Sequence, residues 1–169
     1  MKKARYQKAF TIVELLLSLV ILAILMTAVA VAFDASIVNF QANESISKTT
    51  NTARAALLRM TGELRTAQAV AIIGAGGDPD NSQCSFIAAD GSNLCYRYSP
   101  NDQTLYLDTN GNSYAMCKHV TAATFSRSPI AGSNPVAIRN VRMILTLTDT
   151  KGNNPQTLAA AAVVRRNLE

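Results

Sequence analysis

Several residue types are scarce in this chain of 169 residues, and each scarcity excludes a class of protein. Tryptophan is absent, aromatic residues make up 6%, and there are 8 glycines, 5 prolines and 3 cysteines. These counts exclude a collagen, a low-complexity chain and a small domain held together by many disulfides. Because 49% of the residues are hydrophobic and only 16% are charged, the chain can bury a core and is not a disordered protein.

Acidic residues are missing from the first nine residues, MKKARYQKA, which hold Lys2, Lys3, Arg5 and Lys8. Without these four cations, the remaining residues carry 12 basic side chains against 11 acidic ones. The net charge of +5 therefore comes mostly from one end, and the near-neutral remainder offers no broad field for nucleic acid. A short basic leader before an apolar run is instead a topology signal that holds this end in the cytoplasm.

The apolar run that follows extends from Phe10 to Phe33 and contains neither proline nor glycine. Its single charged residue is Glu14. As a helix with a rise of ~1.5 Å per residue, the run would be about 36 Å long, enough to cross a hydrocarbon core of about 30 Å. We therefore expect residues 10–33 to be a membrane-spanning helix, and the sequence has no second run of this kind.

The residues after this run predict that the helix continues with a different character. From Asp34 to about Ile73 there is no proline and one glycine, Gly62, which costs about 1 kcal/mol relative to alanine without ending a helix. Apolar residues recur here at the three-and-four spacing of one helical face. This face consists of Leu57, Met60, Leu64, Ala67 and Ala71. We predict that residues 34–73 form the amphipathic half of the helix and pack on a globular head.

The remaining residues, 74–169, are typical of short strands and turns. They open with the glycine-rich segment GAGGDPD, and Asn110-Gly111 between alternating apolar runs is a strong hairpin signal. The clearest strand is NVRMILTLTD, with QTLAAAAVVRRN as its predicted partner. Alternation in the first strand places Val141, Met143, Leu145 and Leu147 on one face, and Arg142, Thr146 and Thr148 on the other. The fold class is therefore α+β, with one long N-terminal helix packed on an antiparallel sheet.

The segment KAFTIVELLLSLVILAIL, Lys8 to Leu25, carries a specific motif. A basic leader and a small residue precede Phe, Thr, two aliphatic residues, Glu and a run rich in leucine and isoleucine. In this pattern the segment resembles the N-terminal signal of the type IV pilin-like proteins. A carboxylate inside a membrane helix is costly and rarely accidental, so the motif is specific. The family usually has glycine before the cleaved bond, where this chain has Ala9.

The resemblance implies how the N-terminus is processed and used. A prepilin peptidase would cut between Ala9 and Phe10 on the cytoplasmic side and N-methylate Phe10, which makes residues 1–9 a leader. In a filament, Glu14 of one subunit would meet the amino group of Phe10 of its neighbour. The implied partners are other pilins or pseudopilins through the N-terminal helix, the prepilin peptidase and the inner membrane.

Beyond the signal, the long helix, the sheet and the ending VVRRN resemble the larger minor pseudopilins of type II secretion and the related minor pilins of type IV pili. This resemblance implies a non-enzymatic subunit that supports protein secretion or pilus biogenesis. It would cross the bacterial inner membrane once, with its head in the periplasm, and enter a pilus or pseudopilus on assembly. A pilin-like binding protein for DNA uptake or surface adhesion is the alternative.

A conventional secretory signal peptide or a plain membrane anchor is a second alternative. Ala28-Val29-Ala30 and Ala30-Val31-Ala32 both satisfy the small-x-small rule for signal peptidase. Against this alternative, Glu14 would place a charge inside the apolar region of the signal. The position of this charge favours the prepilin interpretation.

Three cysteines, Cys84, Cys95 and Cys117, fall in the head. In an oxidising periplasm they predict one disulfide and one free thiol, with three possible pairs. Cys84 and Cys95 close the shortest loop and are the first candidates, which leaves Cys117 free. The alternative is three buried thiols that act as small hydrophobic side chains.

No cofactor, metal site or enzyme is expected from the motifs. Asp108, Asn110 and Asn112 are spaced like the start of a calcium loop, but the sixth position is Ser113 instead of glycine and the twelfth is His119 instead of glutamate. They are therefore only weak calcium candidates. No nucleophile elbow, phosphate-binding loop or recognisable pair of catalytic carboxylates is present. If the last two strands pair, a basic patch could form from Arg139, Arg142, Arg165 and Arg166.

Overall fold

The computed structural model describes residues 11–132 and 136–165. The chain has two compact units, residues 1–41 and residues 42–169. One helix, α1, runs from Ile12 to Thr66, and eight strands follow it. The predicted α+β class, with one long N-terminal helix packed against antiparallel sheets, is confirmed.

The strands form two antiparallel sheets, whereas the sequence predicted a single sheet. Five strands form the first sheet in chain order, and three strands form the second sheet in chain order. The first sheet contains β1 (Ala69–Val70), β2 (Gln83–Ile87), β3 (Asn93–Ser99), β4 (Thr104–Thr109) and β5 (Asn112–Cys117). The second contains β6 (Val120–Pro129), β7 (Ile138–Leu147) and β8 (Gln156–Val163).

The hairpin predicted at Asn110-Gly111 joins β4 to β5. Both residues have positive φ, 49° and 79°, as a type I′ turn requires. The predicted pairing of the last two strands is also present, since β7 pairs with β8 along its length from Asn140↔Val163 to Leu147↔Gln156. Local turn chemistry and two-residue alternation were therefore sufficient to place these hairpins.

The helix ends at Thr66, before the predicted end near Ile73. Gln68 donates its backbone N–H to the carbonyl of Ile87 at 2.8 Å, and Ala71 donates to Ser85 at 2.9 Å. The chain leaves the helix because the edge of β2 offers these backbone partners, and the short strand β1 forms there. Residues 67–73, which were predicted to be helical, therefore lie outside the helix and run beside β2. Ala71, predicted on the apolar helical face, is half-buried there.

The predicted amphipathic face supplies the helical side of the core. Leu57, Met60, Leu64 and Ala67 are buried, together with Ala53 and Ala56. The inner face of β7 meets the same core, with Val141, Met143, Leu145 and Leu147 fully buried as the alternation predicted. Thr148 was predicted on the exposed face but is buried, because it follows the end of β7 where the alternation no longer applies.

A buried ion pair between Asp78 and Arg127 joins the two sheets. Both side chains are 2% exposed. Arg127 Nη2 donates to Asp78 Oδ2 and, at 2.6 Å, to the carbonyl of Gln83 on β2. Asp78 also accepts from the Ser85 N–H at 2.8 Å and the Ser85 hydroxyl at 2.6 Å. A carboxylate in the loop after the helix therefore holds β2 against β6, which is consistent with the requirement that buried charges be paired.

The loop that carries Asp78 depends on one glycine. A Cβ atom on Gly77 would lie 2.0 Å from the backbone oxygen of Ile72, which no side chain can occupy. Asp78 in turn donates its N–H to that same oxygen of Ile72 at 2.8 Å. The GAGG segment is thus a tight turn after which the carboxylate of Asp78 lies in the protein interior.

A polar contact fastens α1 to the first sheet. The hydroxyl of Tyr96, a fully buried residue on β3, donates to Glu63 Oε2 on the helix. Arg59 Nε donates to Glu63 Oε1 at 2.8 Å, one helical turn away. Burial and the hydrogen bond to Glu63 both raise the pKa of Tyr96 above its ordinary value, so the phenol stays protonated and acts as a donor. The contact satisfies a phenol that would otherwise be buried without a partner.

We predict that Tyr96→Phe lowers the free energy of unfolding of residues 42–169 by about 1–2 kcal/mol, because it removes a buried hydrogen bond to a charged acceptor. Hydrogen exchange of the backbone amides in the full chain measures this change. Tyr106→Phe is the matched control, since the Tyr106 hydroxyl makes only an exposed contact of 3.4 Å with Asp102. Equal effects of the two substitutions would contradict a stabilising role for the Tyr96–Glu63 contact.

Candidate functional site

The first unit presents an apolar helical surface that the chain itself does not cover. Every described residue from 11 to 41 is exposed. The exposed fraction is 80% at Ile12 and 65% at Phe33. The most apolar window of α1 has a mean hydropathy of 2.9, and none of it is buried. By length and composition, this part of the helix can cross a membrane.

The hydroxyl groups of Ser18, Thr27 and Ser36 within this stretch donate to backbone carbonyls of the same helix. The Ser18 hydroxyl donates to the carbonyl of Leu15 at 2.8 Å, and Thr27 donates to Ala23 at 2.9 Å. Such bonds allow a hydroxyl to enter hydrocarbon without an unsatisfied donor. Glu14 is the one charged residue from Thr11 to Phe33.

Glu14 lies in the first turn of α1. Its backbone N–H donates to the Thr11 hydroxyl at 3.3 Å, so Thr11 caps the helix. Within the described residues, the carboxylate of Glu14 has no ion pair and no side-chain hydrogen bond. The predicted cleavage residues, Ala9 and Phe10, and the predicted methylated amine of Phe10 lie outside the described residues. The structure thus places one unpaired carboxylate at the start of an uncovered apolar helix.

Comparison with known protein families finds one match in this region. The prokaryotic N-terminal methylation motif matches residues 4–30. The matched residues support a type IV pilin-like protein of the prepilin type. The motif implies processing by a prepilin peptidase and assembly with other pilins. Searches among curated proteins and among solved structures found no match to the chain.

The match ends at residue 30, before the head, so the properties of the head follow from its own residues. The three cysteines are free. The predicted disulfide between Cys84 and Cys95 is wrong because β2 and β3 pair with Ser85 opposite Cys95 and Cys84 opposite Tyr96. Residues one position apart in this register point to opposite faces of the sheet. Cys84 is accordingly buried, whereas Cys95 is half-buried on the other face.

The other two cysteine pairs do not meet either. Cys117 pairs with Leu105, a core residue, and so faces away from the side that carries Cys95. Cys84 shares the inner face, but β3 and β4 lie between β2 and β5. Three strand spacings of about 4.8 Å separate the two cysteines by roughly 14 Å, whereas a disulfide needs Cα atoms within about 7 Å. Cys84 and Cys117 are buried and act as small hydrophobic side chains, whereas the alternative expected all three thiols to be buried and Cys95 is only partly so.

The weak calcium candidate at Asp108 is used in an ion pair. Arg97 Nε donates to Asp108 Oδ2 at 2.6 Å, and the Ser113 hydroxyl donates to Oδ1 at 2.5 Å. Partial burial acts to raise the pKa of Asp108, but the bonds from Arg97 and Ser113 outweigh it and hold that pKa below its usual value. Asn110 forms the hairpin turn and Asn112 begins β5. The three residues therefore belong to the β4–β5 hairpin, and the carboxylate of Asp108 binds the guanidinium of Arg97.

The structure brings together most of the predicted basic patch. Arg142 on β7 pairs with Ala161 on β8, and the carbonyl of Arg139 accepts the N–H of Val164. The side chains of Arg139, Arg142 and Arg165 are exposed, and none has an ion pair with another described residue. Arg166 lies outside the described residues. The patch is a solvated group of cations beside the last strand.

Sequence reasoning missed the edge of β8, which is the last strand of its sheet and pairs only with β7 among the described strands. Its residues, QTLAAAAV, contain no charge, proline or glycine. Natural edge strands usually carry such residues to prevent pairing with another chain. The uncharged run was visible in the sequence, but its place at an edge depends on the sheet order.

We predict that iodoacetamide labels Cys95 first in the native chain without any reductant, because Cys95 is the one cysteine among the three that is not fully buried. Burial raises the pKa of all three thiols, and to about 11 for Cys84 and Cys117, so accessibility sets the order of labelling. Cys84 and Cys117 should react only after unfolding, and mass spectrometry should then count three labels. A peptide pair linked by a disulfide, released only by a reductant, would contradict the free-thiol assignment.

Proposed function

We propose that this protein is a minor pilin or pseudopilin subunit that assembles into a type II secretion pseudopilus or a type IV pilus. The observation that carries the proposal is an uncovered apolar helix with the carboxylate of Glu14 near its start, which has no partner among the described residues. The methylation motif over residues 4–30 supports it, because that motif belongs to proteins that assemble through this segment. The role is structural and not enzymatic.

The physical argument concerns the state of Glu14 in a membrane. Cleavage before Phe10 would leave an amino group one helical turn from this carboxylate. A charge buried in hydrocarbon without a partner costs several kcal/mol, so neither group is stable alone at depth. Entry into a filament would let Glu14 of one subunit pair with the Phe10 amine of the next. In a low dielectric that attraction would also set the axial register between neighbouring helices.

The charge distribution supports an orientation for the subunit. The four cations of the leader precede the apolar helix, and positive residues are retained on the cytoplasmic side of bacterial membranes. The head would then lie in the periplasm. Recovery of the intact protein from its own membrane together with pseudopilins and a secretion ATPase would favour secretion over an extended pilus.

A binding role for the head is the second candidate, and the exposed Arg139, Arg142 and Arg165 favour it. Cations of this kind attract phosphate or acidic surfaces, and such binding weakens steeply as salt rises. We predict that the chain without its leader, residues 10–169 in detergent, does not bind duplex DNA at physiological salt, because these residues are nearly neutral. Fluorescence anisotropy over a salt series measures this, with the triple Gln variant at these arginines as the control. Binding that the triple variant abolishes would favour the DNA-binding role instead.

For the assembly role, we predict that Glu14→Leu still inserts in the membrane, because the substitution makes the segment more apolar, but fails to co-assemble with partner pilins. Crosslinking of the membrane fraction should show the variant at normal abundance and without partners. Ser18→Leu is the matched control: it also removes a polar group one turn away, but that hydroxyl is satisfied by Leu15. If Glu14→Leu co-assembles as well as Ser18→Leu, Glu14 has no role in assembly and is only a charge that the end of the helix tolerates.

A further inference from the structure

The free edge of β8 has a defined hydrogen-bonding pattern. Val164 donates its N–H to the carbonyl of Arg139, so these residues form a hydrogen-bonded pair of the antiparallel ladder. The bonding pairs alternate along such a ladder. Residues 158, 160 and 162 therefore bond to β7, and the backbone groups of the intervening residues point away from the sheet. These residues are Thr157, Ala159, Ala161 and Val163, and all four are exposed.

An apolar groove runs beside this edge. It has a volume of about 370 Å³ and lies between β8 and one face of α1. Its helical wall includes Arg54, Leu58 and Thr61, and its strand wall includes Leu158 and Ala160. Leu58 is 75% exposed although the helix is packed on either side of it, at Leu57 and Met60. A strand added at the edge of β8 would place its inward side chains over Leu58.

The surroundings of the groove are basic. Arg54 lines the groove itself, Arg142 lies directly across Ala161 on the exposed face of the sheet, opposite the groove, and Arg139 and Arg165 are at the end of β8. All four are exposed, and none has an ion pair with any other residue in ranges 11–132 and 136–165. The small side chain of Ala161 lets the long arginine beside it reach a residue on an added strand. Acidic residues on that strand would complement these cations.

We propose that the edge of β8 receives an extended, acidic strand from the head of a neighbouring pilin-like subunit of different sequence. The proposal rests on the proposed function, since assembly through the N-terminal helices is what would bring two heads together. The incoming strand would bond to the open edge at Thr157, Ala159, Ala161 and Val163. Its inward residues would be apolar and would bury Leu58, and its alternate residues, on the other face, would present carboxylates to Arg142. This is strand addition to an open sheet edge.

A second copy of this chain is a poorer occupant of the same edge. Pairing β8 with β8 of another copy would set two groups of unpaired arginines against each other. Like charges across a strand pair are destabilising, and such repulsion selects against the wrong partner. The charge around the groove therefore favours a heterotypic contact.

The first experiment uses the full chain in detergent and two labelled probes. One is a short peptide that alternates valine with aspartate, and the other alternates valine with lysine. Fluorescence anisotropy should detect binding of the acidic peptide in preference to the basic one. Failure of the acidic peptide to bind, or equal binding of both peptides, would overturn the proposal.

Variants locate the binding at the edge. Ala159→Pro removes one N–H that faces the open edge while sparing the bonds to β7, and it should weaken binding of the acidic peptide roughly tenfold. Ala159→Ser keeps the N–H and is the control.

Arg142→Glu should weaken binding several-fold through charge alone, whereas Lys118→Glu, beyond the other end of β7, should not. Circular dichroism checks that each variant is folded, and unchanged binding in Arg142→Glu would overturn the proposal even if Ala159→Pro did not fold.

The second experiment identifies the source of the strand in the native membrane. Arg142→Lys retains the charge and supplies an amine that a carbodiimide can couple to a nearby carboxylate. The expected product joins this chain to a second protein that carries its own N-terminal methylation motif, through an acidic residue on an extended segment. A product with a second copy, a product with a protein lacking the motif, or no product in membranes where co-assembly is intact would overturn the proposal. Because peptide binding needs no filament, a failure of co-assembly in the Glu14 experiment remains a separate result.

Discussion

The apolar surface of the N-terminal part of α1 is the constraint on which the rest of this protein depends. A fully buried leucine or isoleucine side chain is worth about 1.5–3 kcal/mol relative to exposure, and residues 12–33 present such side chains on all faces of the helix. No other described residue covers them. A surface of this kind is suited to lipid or to the apolar helices of other subunits, and by length and composition the helix can cross a membrane.

The head uses the next part of the same helix in the opposite way. There the apolar residues fall on one face, and the two sheets supply the other side of a shared core. Hydrophobic burial is not directional, so polar contacts fix how the parts fit. Glu63 and Tyr96 align the helix with the first sheet, and Asp78 with Arg127 joins the first sheet to the second. The energetically costly buried charges are thus placed where separate elements meet.

The methylation motif and the character of the head rest on different kinds of information. The motif is a contiguous pattern of cations, an apolar run and a carboxylate within residues 4–30. The features of the head that bear on binding are not contiguous. The arginines beside β8 come from the helix, from β7 and from the chain after β8. Only the fold brings them near one strand, where Arg54 lines the groove and Arg142 lies on the other face of the sheet.

The sequence by itself determined the membrane helix, the amphipathic face, the Asn110-Gly111 hairpin and the β7–β8 pair, because each depends on a short-range period or on turn chemistry. The tertiary structure alone decided the rest. The sheet edge at β2 ends the helix at Thr66, and strand register separates Cys84 from Cys95 although they are close in sequence. The division into two sheets and the Asp78–Arg127 pair across them depend on contacts between residues far apart in the chain. Short-range patterns do not say which distant strand pairs with a given strand, or which distant charge pairs with a given charge. Packing of the whole head decides both.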